Sequence, residues 1–351
     1  MLGMFSKSKP MIGLDIGSSS VKAVELAKVK GGYEVVGFAQ TPLGADLIVD
    51  GAITDSAAVS EVIKLVFTMG KFKARNVATG VAGNAVIVKR VSLPVDTPEE
   101  VAGSIEFDAD KYIPFDISEV NLDYQIVGAA EGDEGGLEVV LVAAKKEQVA
   151  NSTEVVTMAG RVPTVVDVDA FALQNAFEAN YSPSPADAIA LLNIGASRTN
   201  INIVKAGMPL FVRDVSVGGD QYTDILQKEL QLSLEEAEDL KFGKQVGMYD
   251  ADMVAPLLDS ITDMLIMEVQ KTFDFFREND PDETIKAIYL AGGGSRATGI
   301  ADKVQAAFGI ETEMLDPLKS VRVGSKAGGS VHESGPALAI ALGLAMRGFD
   351  G

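Results

Sequence analysis

The hydrophobic and polar positions near the start of the chain predict two short strands joined by a small-residue turn. Within residues 11–16 apolar side chains alternate with Gly13 and Asp15, and a second strand-like run covers residues 21–26. The turn between them is Gly17-Ser18-Ser19-Ser20. A glycine followed by small hydroxyl residues offers backbone N–H groups that form a concave anion site, so this hairpin predicts a phosphate cradle. An ordinary hairpin with a polar turn is the alternative.

Two charged residues flank this turn. Asp15 precedes it, and a carboxylate beside a phosphate is repulsive unless a hydrated Mg²⁺ lies between them. Lys22, on the second strand, is placed to supply a compensating cation. The pattern therefore predicts a magnesium phosphate site in which Asp15 contacts the metal through water.

The same pattern returns in the second half of the chain. Residues 192–199 align with residues 14–21, with Asn193 at the position of Asp15, and the offset of 193 − 15 = 178 is about half of the 351 residues. The second turn consists of Gly195, Ala196 and Ser197, followed by Arg198. Two similar halves, each with a phosphate-binding hairpin, are expected.

Two further glycine motifs follow. The apolar strand around residues 288–290 leads into Gly292-Gly293-Gly294-Ser295 and then into a helical pattern over residues 300–308. Gly218 and Gly219 directly precede another predicted helix, whose N-terminal amides would face an anion. Close packing of that helix on the sheet explains the two glycines equally well.

The first half contains an additional unit. A capping box at residues 97–100 predicts a helix that ends at Pro114. Strands over 120–127 and 137–143 flank an acidic, glycine-rich turn at 131–136, and a helix is predicted over 147–159. The unit has no catalytic constellation of its own. In the second half, a long amphipathic helix is predicted over 256–277, with its phenylalanines and methionines in the core.

Composition restricts the function. A chain of 351 residues exceeds the usual size of one core, so two or more lobes are expected. With no cysteine and a single histidine, His332, thiolate and histidine-rich metal sites are excluded. The longest apolar run, residues 337–346, is ten residues, too short for a membrane span, and no secretory signal is recognised, so a cytoplasmic location is expected. A net charge of −20 disfavours nucleic acid and direct insertion into anionic membranes.

The two hairpins, the later glycine motif and the inserted unit, in this order, resemble the actin-like ATPase superfamily over nearly the whole chain. The resemblance implies an α/β fold of two ribonuclease H-like lobes with duplicated phosphate-binding hairpins and an inserted 1C subdomain, and it implies ATP and Mg²⁺ as ligands. The segment AEDLK, residues 237–241, matches the A-E-x-x-K pattern of bacterial actins. Glu238 and Lys241, otherwise a surface ion pair, would then form the ribose and adenine wall, and residues 292–295 the adenosine motif.

Within this superfamily the chain is most similar to the PilM family of type IV pilus assembly, with the FtsA family next. The implied domains are 1A (residues 11–85, completed by about 162–181 and 335–347) and an SHS2-type 1C (86–161). The second lobe comprises 2A (182–227, completed by about 284–334) and 2B (228–283). Residues 166–176 and 335–346 would be the two connecting helices.

Two departures from the superfamily pattern matter. Members that hydrolyse ATP usually carry Asp where this chain has Asn193, so at most a slow ATPase is expected. Only four residues follow Arg347, which leaves no room for the basic amphipathic tail of FtsA. The resemblance therefore implies tethering at the inner membrane through a protein partner.

That partner is expected to be the cytoplasmic N-terminal peptide of a PilN-type protein, and through it a PilN/PilO-type complex, with the inserted unit as the docking site. Self-association is left open. Two other functions also remain: a sugar or acid kinase of the same fold, with Asp167 or Asp169 as a candidate base, and an FtsA-like division filament protein.

Overall fold

A computed structural model describes residues 10–49, 51–130, 135–328 and 330–349. The first nine residues, and residues 131–134 of the expected acidic turn, lie outside the described residues. The strands are β1 (Met11–Ile16), β2 (Ser20–Val29), β3 (Gly32–Pro42), β4 (Ile48–Val49), β5 (Ala52–Ile53), β6 (Asn76–Val81), β7 (Val86–Leu93), β8 (Val120–Ala129), β9 (Leu137–Lys145), β10 (Val162–Val168), β11 (Ala188–Ile194), β12 (Thr199–Lys205), β13 (Met208–Val215), β14 (Ile285–Ala291), β15 (Glu311–Met314) and β16 (Arg322–Val323). The helices are α1 (Ser56–Met69), α2 (Pro98–Ala109), α3 (Lys146–Met158), α4 (Asp169–Asn180), α5 (Gly219–Leu230), α6 (Leu234–Lys241), α7 (Ala251–Asn279), α8 (Ile300–Phe308), α9 (Ser330–Ser334) and α10 (Ala339–Met346).

Two sheets repeat one topology. In the first, the strand order is β10-β6-β1-β2-β3-β16, and in the second it is β13-β12-β11-β14-β15. In each sheet an antiparallel meander (β1-β2-β3 or β11-β12-β13) is extended by two parallel strands beside its first strand. The two similar halves expected from the 178-residue offset are therefore confirmed.

The helices form layers around these sheets. Helices α4 and α10 pack on each other between the two sheets and share one core with both. Helices α1 and α3 cover the outer face of the first sheet. Helices α5, α6, α7 and α8 cover the outer face of the second. Because α4 and α10 contact both lobes, they hold the two sheets in one arrangement.

The packing between α4 and α10 depends on Gly343. A Cβ built on Gly343 would lie 1.8 Å from the carbonyl oxygen of Ala172. We expect Gly343→Ala to lower the free energy of unfolding by about 3 kcal/mol, because two tightly packed helices must separate. Gly103→Ala on α2, where a Cβ meets nothing within 4 Å, is the matched control and should be neutral or slightly stabilising. Urea unfolding of both variants measures this, and equal stabilities would contradict the packing argument.

Several predicted boundaries are wrong. Helix α2 has the expected capping box at Thr97 but ends at Ala109, before Pro114. The N–H groups of Lys111 and Tyr112 donate to the carbonyls three residues earlier, and these tight turns end the α-helix. The first connecting helix, α4, begins at Asp169, because residues 166–168 still pair with β6.

The prediction that the phenylalanines and methionines within residues 256–277 of α7 lie in the core is correct for two of them and wrong for three. Phe273 and Phe276 are fully buried, but Met264, Met267 and Phe275 are 47%, 60% and 51% exposed. Only one side of α7 is covered, and these three side chains lie on the other.

The inserted unit has its own small core. Its sheet, in the order β7-β9-β8, packs against α2. Helix α3, by contrast, packs with α1 in the core of the first lobe. We therefore propose that the insertion ends near Lys145 instead of residue 161. Strand β16 lies within residues 284–334, which were expected to complete subdomain 2A of the second lobe. It pairs with β3, however, and so belongs to the first sheet.

Candidate functional site

The carboxyl ends of the strands bring the predicted site together. In the first sheet β1, β6 and β10 run parallel, so the first turn, Gly83 and Asp169 emerge at one edge. In the second sheet β11 and β14 run parallel, so the second turn and Gly292 emerge together. Ligands of open α/β sheets bind at such edges.

The first turn has the predicted hairpin geometry. The Gly17 N–H donates to the Ser20 carbonyl at 3.1 Å, which closes the turn. Asp15 and Lys22 are cross-strand partners, and the Lys22 Nζ lies 3.0 Å from the Asp15 carboxylate. The lysine thus neutralises the carboxylate on which the predicted metal contact depends.

The two turns meet. The second is closed by the Gly195 N–H, which donates to the Arg198 carbonyl at 2.9 Å. The hydroxyls of Ser18 and Ser197 then form a 2.9 Å hydrogen bond in which either can donate. Residues 179 positions apart therefore face each other across the two lobes.

The amides of these turns satisfy the main requirement for binding an anion. Among the described residues, the backbone N–H groups of Ser18, Ser19, Ala196 and Ser197 have no hydrogen-bond acceptor. Unpaired N–H groups in a turn require a partner from solvent or a ligand. The two facing turns are therefore suited to hold phosphate oxygens.

The amides before α5 are already used. Gly218 donates to the Gln221 side chain at 2.6 Å, Gly219 to the Gly195 carbonyl at 2.8 Å, and Asp220 to the Ala196 carbonyl at 2.9 Å. A Cβ on Gly218 would lie 2.3 Å from the Ala196 carbonyl oxygen. The expectation that these amides face an anion is wrong, and close packing on the second turn explains the glycines.

Strand β14 leads into the predicted adenosine motif, which comprises Gly292, Gly293, Gly294 and Ser295. This motif packs on the second turn, since a Cβ on Gly292 or Gly294 would lie 2.3 Å from the Ile194 carbonyl oxygen or 2.9 Å from that of Gly195. Ser295 is buried, and its hydroxyl donates to the Gly292 carbonyl at 2.7 Å. The serine side chain thus holds the turn in place, and a ligand would contact the backbone of the motif.

Glu238 and Lys241 form part of a hydrogen-bonded network in which the lysine is buried and the glutamate is 38% exposed, and not an isolated surface pair. The Lys241 side chain is 4% exposed and lies 2.5 Å from a Glu238 carboxylate oxygen. Thr223 accepts from the lysine at 2.9 Å and donates to Glu238. The lysine also donates to the Gly219 carbonyl at 3.4 Å, so the network adjoins both the second turn and the adenosine motif.

Carboxylates of both lobes collect at the site. Burial raises the pKa of Asp169 well above its usual value, and the negative charges of Asp15, Asp214 and Asp167 raise it further. The positive charge of Arg198 opposes these effects. Asp167 forms an ion pair with Arg347 at 3.3 Å. The floor of the site therefore carries an excess of negative charge, which suits a bound cation.

This excess charge predicts a pH effect. A carboxyl whose pKa is raised by folding contributes stability that is present below its unfolded pKa of about 3.9 and is lost as pH rises through the folded pKa. The raised pKa of Asp169 therefore lowers the stability of the fold at pH 7, and Asp169→Asn should raise the free energy of unfolding there but not at pH 4. Asp167→Asn, which breaks an ion pair, should not stabilise. Denaturant unfolding at both pH values measures this, and an Asp169→Asn protein no more stable at pH 7 would contradict it.

Sequence motifs alone missed three residues of the site. Arg198 directly follows the second turn but belongs to no phosphate-binding motif, and Thr223 lies on α5 outside any motif. Asp214, on β13, accepts from the Gly83 N–H at 2.7 Å and from the Asn200 amide at 3.1 Å. For Asp214 no local signal was available, because it reaches Gly83 across 131 residues of sequence.

No group of three or more Asp, Glu or His side chains placed to hold a metal ion occurs in the part of the chain that the structure describes. Within the same ranges, no helix has both the length and the apolar character to cross a membrane.

Comparison with known proteins identifies the family. The model of a family described as type IV pilus assembly protein PilM matches residues 13–349. The chain belongs to the PilM family. A solved structure of a PilM-PilN type IV pilus biogenesis complex matches 97% of this chain and 99% of its own, with a TM-score of 0.83 and 30% identity.

More distant relatives have the same fold. The ethanolamine utilization protein EutJ of Carboxydothermus hydrogenoformans matches 95% of the chain with a TM-score of 0.55 and 16% identity. EutJ of Escherichia coli (strain K12) is 27% identical over 122 residues, and this match spans 39% of that protein. PilM membership and the actin-like two-lobe fold implied by the motifs are both confirmed.

Proposed function

We propose that the chain is an ATP-binding cytoplasmic scaffold of a type IV pilus assembly complex, held at the inner membrane by the N-terminal peptide of a PilN-type protein. The observation that carries the proposal is the similarity to the solved PilM-PilN complex over 97% of the chain. Through that peptide the scaffold would join a PilN/PilO-type membrane complex. Neither the kinase nor the division-filament alternative has a comparable observation in its favour.

The nucleotide is proposed to lie between the lobes. The free amides of the two turns would hold its phosphates. The surface of the adenosine motif and the network around Lys241 would hold adenosine and ribose. These residues fit the ligand because the two turns supply unpaired N–H donors for phosphate oxygens. The adenosine motif and the Lys241 network form a packed surface beside these donors.

Magnesium is proposed to bind through water to Asp15. The surplus of carboxylates near Asp169 favours a divalent cation. Bound Mg²⁺ would neutralise phosphate charge and polarise the terminal phosphate. Asn193 adds no charge beside it, which supports a nucleotide-dependent scaffold more than a fast ATPase.

Calorimetry on the full chain tests the proposal. We expect Mg-ATP, and a synthetic peptide of the N-terminal segment of the PilN-type protein from the same genome, each to bind with a Kd of roughly 1 μM or tighter. A chain that binds nucleotide but not this peptide would contradict the scaffold. Transfer of phosphate to common sugars at about ten per second would favour the kinase instead.

A further inference from the structure

The backbone of Arg198 lies where the two lobes meet. The residue directly follows the second turn and closes it, because its carbonyl accepts the Gly195 N–H at 2.9 Å. It follows Ser197, whose hydroxyl contacts Ser18 of the other lobe. The arginine backbone is therefore part of the pair of facing turns that offers free amides.

The side chain crosses from the second lobe to the first. A Cβ on Gly83 would lie 1.8 Å from the Arg198 Nη1, and a Cβ on Gly51 would lie 3.3 Å from its Nη2. Gly83 follows β6, whose carboxyl end lies beside that of β1 and hence beside the first turn. Any side chain at Gly83 would take the place of the guanidinium, so the glycine provides a slot for it.

Arg198 forms no ion pair within the described ranges, although its charge acts at longer range on the Asp169 carboxyl. The other cations near the turns have carboxylate partners, Lys22 with Asp15 at 3.0 Å and Lys241 with Glu238 at 2.5 Å. Within the described ranges, neither a salt bridge nor a side-chain hydrogen bond is formed by Arg198. A guanidinium presents five donors in a rigid fork that matches phosphate oxygens.

We propose that Arg198 binds the terminal phosphate of the nucleotide and sets the preference of this site for a triphosphate over a diphosphate. The inference rests on the proposed nucleotide binding and adds a specificity residue to it. Each added phosphate brings further negative charge to the turns, where Asn193 is neutral and Lys22 is already paired. The positive charge of Arg198 can then offset the additional negative charge of the longer phosphate chain.

Calorimetric titration of the full chain with ATP, ADP and AMP, each with Mg²⁺, tests this. We expect Arg198→Gln to weaken ATP binding by about 10- to 100-fold and AMP binding by less than about threefold, so that the ATP to ADP affinity ratio falls towards one. Arg198→Lys, which keeps the charge but not the fork, should lose less. Arg213→Gln, which removes an arginine paired with Glu268 on the same lobe, is the matched control and should keep the wild-type ratio.

Each outcome separates the two proposals. A wild-type protein without measurable nucleotide binding would refute the proposed function itself. A wild type that binds nucleotide, with an Arg198→Gln protein that keeps its ATP to ADP ratio, would overturn only the role of Arg198. Equal losses for ATP, ADP and AMP would also overturn it, because they would make Arg198 a residue that positions the lobes. If Arg198→Gln does not fold, the ratio measured for Arg198→Lys decides.

Discussion

Replacing residues 94–136 with an Asn-Gly turn is expected to abolish binding of the PilN-type peptide, by more than about 100-fold, and to leave Mg-ATP binding within about threefold of wild type. The structure makes this replacement feasible, because Leu93 and Leu137 are cross-strand partners at the ends of β7 and β9. A two-residue turn can therefore rejoin them as a hairpin. The change removes α2 and β8 but keeps α3, which belongs to the core of the first lobe.

The physical basis is the surface that this part of the insertion offers. In the sheet order β7-β9-β8, strand β8 is an edge whose backbone groups can pair with an extended peptide. On α2, which packs on the same sheet, Phe107 is 76% exposed and is available as an apolar contact. A short peptide can combine both kinds of contact, whereas the two turns proposed to bind nucleotide lie outside the replaced segment.

The deletion needs a milder companion, because removing α2 uncovers the apolar face of the remaining hairpin. Phe107→Ser changes an exposed side chain and should weaken the peptide by about tenfold, since burying a phenylalanine is worth roughly 1.5–3 kcal/mol. Met158→Ser, on exposed Met158 of α3, is the control. A folded deletion variant that binds the peptide with wild-type affinity would place the docking site elsewhere.

Asp15→Ala is expected to weaken Mg-ATP binding by about 10- to 100-fold, the usual worth of a charge-assisted contact. Metal-free ATP should bind the variant as well as the wild type or better. The reason is the 3.0 Å pair between Asp15 and Lys22, which frees the lysine for phosphate when the carboxylate is removed. The loss of affinity should therefore be confined to the metal-bound nucleotide.

Titrations with and without EDTA measure this difference. Asp123→Ala, which removes an exposed carboxylate from β8, corrects for the change in net charge and should alter neither affinity. Equal losses for metal-bound and metal-free ATP would remove the metal contact from Asp15. Unchanged Mg-ATP affinity would remove the residue from the site altogether.

Local signals explain what could be predicted from the sequence. The hairpin turns and the capping box at Thr97 depend on a few neighbouring residues, and the structure has all of them. The duplicated sheets were visible because the two halves repeat the same local pattern. The approximate positions of the two facing turns followed directly from that repeat.

Tertiary contacts explain what could not be predicted. A helical period tells which residues of α7 share a face, but not that the face of Met264 and Met267 is left uncovered. The glycines before α5 satisfy the pattern of an anion site, yet the second turn occupies their amides. The path of Arg198 to Gly83 depends on how the two lobes meet, which no local pattern encodes.

The central claim is that one chain binds nucleotide between its lobes and, separately, a membrane-protein peptide on its insertion. Titration of the PilN-type N-terminal peptide into the full chain saturated with Mg-ATP tests this most directly, with mass spectrometry of the product under native conditions. The account predicts a complex of one chain, one nucleotide and one peptide. Displacement of nucleotide by peptide, or no binding of peptide to the nucleotide-bound chain, would contradict it.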